Sequence, residues 1–287
     1  MPSYHGFAKT NKAFHLSLKA GAVTIPPLPC GAVDGYIVRA GNMTGAERMS
    51  TVAVVFCFPP AGAGASFFHP WRAYSPELRV VPVEMPGREK RFGEPAPDDL
   101  REMVDRVLPD LLEDAVAGER VVMFGHSFGA ILAYEATRSF MRLRPEADVL
   151  LVVSGSPGPR TLRGTTRIAD WADDEFIAGV RAISGYHHPA LDDPELRDFL
   201  LPVLRTDVVM HEGYEPEAGA VVDVPVISIR GETDEVVDIA AAEEWRDWTT
   251  KAFHTEELPG GHMYLVDGWP GLLDLIEQEA STVDAAG

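Results

Sequence analysis

The chain has 287 residues, 46% of them hydrophobic and 9% aromatic, which is enough to bury a sizeable core and excludes an intrinsically disordered polymer. Its 25 basic residues stand against 44 acidic ones, a formal charge of -19 that repels phosphate backbones, and no basic stripe offsets it, so nucleic acid is excluded as a partner. Two cysteines, Cys30 and Cys57, are too few for a disulfide framework, and no histidine or cysteine pattern has metal-ligand spacing, so no metal site is expected.

Met1-Pro2-Ser3-Tyr4-His5-Gly6 lacks the basic-then-apolar order of a secretory signal, and three prolines interrupt the next apolar patch between Ile25 and Pro29. No stretch reaches the length of a membrane span, so a soluble, cytoplasmic protein with no membrane partner is the expectation, acting as a monomer. Residues 1–50 read as an N-terminal extension of uncertain order, with one candidate strand at Tyr36-Ile37-Val38. From Thr51 onward, short apolar runs alternate with amphipathic stretches of helical length. The runs are Val52 to Phe58, Val80 to Val83, Val121 to Phe124, Val149 to Val153 and Val224 to Ile229. Helices are expected at Asp98 to Ala117, with Asp98 as cap, at Phe128 to Arg142, and at the C-terminus over Gly271 to Ala280. Residues 51–287 therefore read as one α/β domain with a mostly parallel central sheet flanked by helices. Between Ser154 and Val222 the alternation stops and two helix patterns appear, around Asp173 to Ile183 and Pro194 to Val209. An insertion over about 155–222 is expected, read as a helical lid sheltering an acyl chain from water, with a lengthened crossover as the alternative.

The pentapeptide Gly125-His126-Ser127-Phe128-Gly129 lies between the Val121 run and the Phe128 helix. A serine on a tight strand-to-helix turn projects its hydroxyl from the sheet, and flanking glycines make room for that turn, which is the context a nucleophile elbow requires. A serine hydroxyl needs a histidine to take its proton and a carboxylate to orient the imidazole. Asp234 follows Gly231 in a loop past the fifth apolar run, where sheet proteins place working residues, with Glu232, Glu235 and Asp238 as nearby competitors. His262 follows Gly260-Gly261 and precedes the C-terminal helix. The order Ser127, Asp234, His262 is the chain order of an α/β-hydrolase triad. His126, held in the elbow, reads as a structural hydrogen bonder, and the remaining histidines have no supporting motif.

Acyl chemistry also needs donors for an oxyanion. The N–H of Phe128 follows the nucleophile at a helix N-terminus, and a second is expected from the glycine-rich loop Pro59-Pro60-Ala61-Gly62-Ala63-Gly64, at the N–H of Ala61. That loop matches neither the Walker A nor the dinucleotide spacing, which speaks against phosphate cradling.

Taken together, Phe58-Pro59-Pro60-Ala61-Gly62-Ala63-Gly64, Met85-Pro86-Gly87-Arg88-Glu89-Lys90-Arg91, Gly125 to Ala130, Leu204-Arg205-Thr206-Asp207, Gly231 with Asp234, and Gly261-His262 resemble the type II thioesterases that serve polyketide and nonribosomal peptide synthetases. The resemblance runs from about Val52 to Leu275. It departs from the family at the Pro-Pro-Ala-Gly-Ala loop and at Phe128, where methionine is common, and both changes leave the backbone donors in place. It implies hydrolysis of stalled or aberrant acyl groups from the phosphopantetheine arm of acyl or peptidyl carrier proteins. No cofactor of the enzyme's own is implied, since the substrate carries the phosphopantetheine. Carrier proteins are usually acidic, so docking would use a local basic patch, with Arg88-Lys90-Arg91, Arg138-Arg142-Arg144 and Arg160-Arg163-Arg167 as candidates. Arg205 and Asp207 are read as a buried ion pair of the lid. Three rival readings remain on the sequence: an oxygen-ester hydrolase or lipase-like enzyme of the same fold, a catalytically silent carrier-binding module, and transfer to an acceptor other than water.

Overall fold

The computed structural model describes residues 53–161, 167–186 and 188–282. The expected extension over 1–50, its candidate strand at Tyr36-Ile37-Val38, Cys30, Arg163 and His187 lie outside them. Six strands are present: β1 (Ala53–Phe58), β2 (Leu78–Pro82), β3 (Arg120–His126), β4 (Val149–Ser154), β5 (Val226–Gly231) and β6 (Phe253–Leu258). They form one wholly parallel sheet in the order β2-β1-β3-β4-β5-β6. Every residue of β1, β4 and β5 is buried, as strands covered on both faces must be.

The period of two along β1 divides the core. Val54, Phe56 and Phe58 face one side, under α1 (Leu100–Asp114) and α2 (Phe128–Leu143). Ala53, Val55 and Cys57 face the other, under Phe68 and Trp71 of a 3-10 stretch at Ala65–Ala73 and under α6 (Leu265–Ser281). Between β5 and β6 lies the short α5 (Ile239–Glu243).

Several expectations are corrected in detail. Helix α1 is capped by Asp99 and not Asp98, because it is the Asp99 carboxylate that accepts from the N–H groups of Arg101 and Glu102. Strand β5 begins two residues later than expected: Pro225 has no N–H to enter the ladder and offers only its carbonyl, to Leu151. Helix α6 starts at Leu265, well before Gly271, and carries Pro270 in its second turn. Strand β6 was not expected at all. Its sequence, Phe-His-Thr-Glu-Glu-Leu, is that of a half-exposed edge strand rather than an apolar run.

Between β4 and β5 the chain forms α3 (Asp173–Ser184) and α4 (Pro194–Glu212), close to the spans expected. These helices have a small core of their own, in which Phe176 is fully buried among Ile168, Leu201, Leu204 and Val208.

Strand order reverses direction at β1, whose neighbours are β2 on one side and β3 on the other. In an open parallel sheet the crevice beyond the carboxyl ends of such a pair is where ligands bind. The loop after β1 and the elbow after β3 leave the sheet side by side there, with Phe58 paired to Gly125.

Candidate active site

Ser127 occupies the turn between β3 and α2 with φ 55° and ψ -116°, a conformation that L-residues rarely adopt. Holding a non-glycine residue there costs about 1–3 kcal/mol, so the surroundings must enforce it. Two of its restraints are visible: the Ser127 N–H donates to the Ser154 carbonyl at 2.7 Å, and the Ser127 carbonyl accepts from Ala130 at 3.0 Å. The glycines admit the turn for steric reasons. A Cβ at Gly125 would lie 1.9 Å from the Gly129 carbonyl oxygen, and one at Gly129 would lie 2.3 Å from that of Phe58.

Asp234 and His262 come from the neighbouring strands β5 and β6, whose exits are tied together. The Glu232 N–H donates to the Leu258 carbonyl at 2.8 Å and the Thr233 N–H to that of Gly260 at 2.9 Å. Gly231 allows this approach, since a Cβ there would lie 2.3 Å from the Gly261 carbonyl oxygen. The result is a buried hydrogen bond of 2.9 Å between His262 Nδ1 and Asp234 Oδ2. The other carboxylate oxygen accepts from the N–H groups of Val236 at 2.8 Å and Val237 at 3.0 Å. Burial by itself would raise the Asp234 carboxyl, but the bond from His262, its charge and the two backbone donors outweigh it and hold the group below the usual carboxylate range. Of the competing acids, Glu232 and Glu235 are exposed and Asp238 caps α5 through the Ala241 N–H.

His262 lies against the elbow, its ring centroid 5.0 Å from that of His126. His126 is fully buried, and its Nδ1 is 2.9 Å from the Ser154 hydroxyl, which lies 2.7 Å from the Tyr264 hydroxyl. Burial, and then the proximity of His262, push its pKa well below that of an ordinary imidazole, so it stays neutral. His126 is thus the hydrogen bonder the elbow position suggested. The Ser154 and Tyr264 links in its chain had no signal in the sequence, being contributed by separate elements.

Phe128 opens α2, so its N–H has no acceptor one turn earlier within the helix. Ala61 lies half-buried in the loop after β1, packed against both the main core and the small core of the inserted helices. Five candidate residues, Ser127, Asp234, His262, Phe128 and Ala61, therefore sit at the carboxyl ends of β1, β3, β5 and β6, four on the connecting segments and Phe128 at the first position of α2.

Asp207 requires a correction. Its partner is not Arg205, which turns outward to Asp173 at 2.7 Å and to the Trp171 carbonyl at 2.9 Å. Instead Asp207, wholly buried on α4, pairs with both terminal nitrogens of Arg88 at 2.7 Å and accepts from the Gly62 N–H at 2.8 Å. Arg88 is accordingly no docking residue: it is buried, and it also donates to the Ala63 carbonyl at 2.8 Å. Nearby, Lys90 pairs with Glu84 and Arg91 with Glu94. In the second candidate patch, Arg138 is held by Glu135 and Glu217, both at 2.7 Å.

Among the described residues, no group of three or more His, Cys, Asp or Glu is placed to hold a metal ion, and no helix is long and apolar enough to cross a membrane.

Residues 53–280 match the family model described as "Thioesterase domain". The "Probable cadicidin biosynthesis thioesterase" of Streptomyces griseus is 35% identical over 211 residues, covering 73% of this chain but 57% of that protein, so the match spans little more than half of its length. "Thioesterase PikA5" of Streptomyces venezuelae is 33% identical over 218 residues, 74% of this chain and 75% of that one. Among solved structures, "the type II thioesterase BorB from the borrelidin biosynthetic cluster" superposes with a TM-score of 0.72 at 29% identity, covering 83% of this chain and 95% of that one.

Proposed function

The chain belongs to the thioesterase-domain family, and from that premise we propose that it is a type II thioesterase, hydrolysing acyl groups from the phosphopantetheine arm of acyl or peptidyl carrier proteins in polyketide or nonribosomal peptide biosynthesis. The chemistry rests on one observation above all: the buried 2.9 Å hydrogen bond between His262 Nδ1 and Asp234, with the His262 ring against that of His126, the residue before the strained Ser127.

With Nδ1–H donated to Asp234, the lone pair of His262 lies on Nε2, ready to take the Ser127 proton as Oγ attacks the thioester carbonyl. The N–H groups of Phe128 and Ala61 receive the oxyanion, worth about 10²–10³ in rate per donor. The C–S bond breaks, the imidazolium returns its proton to the departing thiolate, and an acyl-serine remains. Water then attacks that ester, giving its proton to His262, and collapse of the second tetrahedral species frees the acid and restores Ser127. Asp234, kept ionised by its neighbours, stabilises the imidazolium in both halves of the cycle. No cofactor of the protein enters any step. The inserted helices α3 and α4 act as the lid of this site, and the reading carries with it a cytoplasmic, monomeric enzyme.

Hydrolysis of matched acyl-pantetheine, acyl carrier protein and oxygen-ester substrates, from short to long chains, tests the proposal. Thioester cleavage at least about tenfold faster in kcat/KM than cleavage of the matched ester is expected. Equal rates would make the enzyme a general esterase, and absence of both turnover and labelling by a fluorophosphonate would leave only a carrier-binding module.

A further inference from the structure

Asp207 is an acid with no exposed surface, on a helix that contributes none of Ser127, Asp234 or His262, and all of its hydrogen bonds described above run to one place. Its Oδ2 accepts from the Gly62 N–H at 2.8 Å, and both its oxygens take Arg88, whose other contact is the Ala63 carbonyl at 2.8 Å. The 3-10 stretch that follows this loop is gripped from the next residue of the β2 exit: the Glu89 carboxylate accepts from the Ser66 N–H at 3.0 Å and from its hydroxyl. Glu89 adopts φ 46° to do so, the only described non-glycine residue other than Ser127 with a left-handed φ. Leu204, one turn before Asp207, closes the fit, for a Cβ at Gly62 would lie 2.8 Å from its Cδ1.

We propose that Asp207 and Arg88 are positioning residues for the oxyanion donor of Ala61, through which helix α4 of the inserted segment sets the geometry of the loop after β1. The proposal rests on the acyl-serine reading given above. Successive peptide planes are separated by only two soft dihedrals, so pinning the Gly62 N–H and the Ala63 carbonyl leaves the neighbouring Ala61 N–H little freedom to turn. Stability alone gives a poor reason for the pair, because apolar residues of similar volume commonly replace a buried ion pair without loss. What they cannot replace is an acceptor aimed at Gly62. Oxyanion stabilisation depends on donors held in place before charge develops, and a displacement of an ångström can cost about 100-fold in rate. Because Asp207 sits on α4, a shift of that helix would break the Gly62 bond and disarm the site.

The test compares the wild type with the doubly apolar variant Asp207→Leu/Arg88→Met and with Asp207→Asn, whose amide oxygen can still accept from Gly62. Thermal melting reports folding, and active-site titration reports the competent fraction. The readout is the rate of phosphonylation of Ser127 by a fluorophosphonate, whose phosphonyl oxygen enters the oxyanion hole whatever the natural substrate. The folded double variant is expected to react about 10- to 100-fold more slowly per competent site, and on a thioester to lose kcat with KM nearly unchanged. Asp207→Asn is expected to recover most of the rate. A folded double variant that reacts at the wild-type rate, or losses that follow the unfolded fraction alone, would overturn the proposal. Wild-type protein that phosphonylates but cleaves no thioester would refute the functional reading and leave the positioning role standing. Absence of wild-type phosphonylation would remove both.

Discussion

At the carboxyl end of the sheet, loops meet backbone to backbone, whereas the inserted helices above it meet mainly through side chains. Gly129 rests on the Phe58 carbonyl and Gly231 on those of Gly260 and Gly261, contacts in which no side chain can yield. Helices α3 and α4 instead share one small cluster around Phe176, and their Ile183, Leu196 and Phe199 are substantially exposed. A site built on strand exits keeps its reacting groups fixed, while a segment with a thin core of its own can open at low free energy. On the proposed function, chemistry belongs to the rigid part and access to the deformable part, and the Arg88–Asp207 pair joins the two.

The sharpest way to separate chemistry from architecture is Ser127→Ala. Turnover is expected to fall more than about 10³-fold, because the acyl-serine cannot form. Melting temperature should hardly change, since Cβ is kept and the two backbone hydrogen bonds of Ser127 do not involve the hydroxyl. Residual activity within tenfold of wild type in a thioester assay would move the nucleophile elsewhere.

Gly129→Ala attacks the architecture instead. Its added methyl would lie 2.3 Å from one backbone carbonyl oxygen and 2.7 Å from another, neither of which is a flexible side-chain end. A loss of about 3 kcal/mol or more is expected, at the upper end of what overpacking does, with activity falling alongside. Denaturant titration measures it, and a loss below about 1 kcal/mol would show that the strand exits are less rigid than their contacts imply.

The same division governs what could be read from the sequence. Buried parallel strands announce themselves as apolar runs, so β1 to β5 were legible, and turn glycines and chain order pointed to Ser127, Asp234 and His262. Strand β6 was not legible, because an edge strand carrying His254, Glu256 and Glu257 has no apolar run to detect. Between Asp98 and Asp99, adjacent and alike, only side-chain direction decides which caps α1. The Arg88–Asp207 pair spans 119 positions, and nothing local favours it over the nearer Arg205. Arginine-rich stretches suggested a surface for a partner, yet a cation's availability depends on which acid it meets in three dimensions, and Arg88 meets one in the interior.

For the inserted helices, Phe176→Ala is the informative change. Removing a fully buried ring from a core normally costs about 3–5 kcal/mol. Here the cluster is distinct from the two that flank the sheet and meets the larger of them through Ala61, so the cost should appear as local opening. Hydrogen exchange is expected to lose protection in α3 and α4 while β1, β3 and β4 keep theirs. Equal loss of protection throughout would mean that the insertion and the sheet unfold as one unit.

The smallest effect concerns acid. The folded Asp234 carboxyl is held below its ordinary value, and an unfolded aspartate titrates near about 3.9. A depressed carboxylate contributes stability that is fully present above the unfolded value and disappears as pH falls through the folded one. The stability gap between wild type and Asp234→Asn should therefore be constant from about pH 7 down to about pH 5 and shrink below about pH 4. Burial opposes the depression, so the gap is modest to begin with. The matched control is Asp173→Asn, which breaks the solvent-exposed pair of Asp173 with Arg205 on the inserted helices. Exposed pairs contribute little, so this variant should track wild type at every pH. Were Asp173→Asn to show the larger pH dependence in paired denaturant titrations, the buried strand-exit carboxylate would no longer be the one that senses acid, and the contrast between the two regions would fail at its electrostatic end.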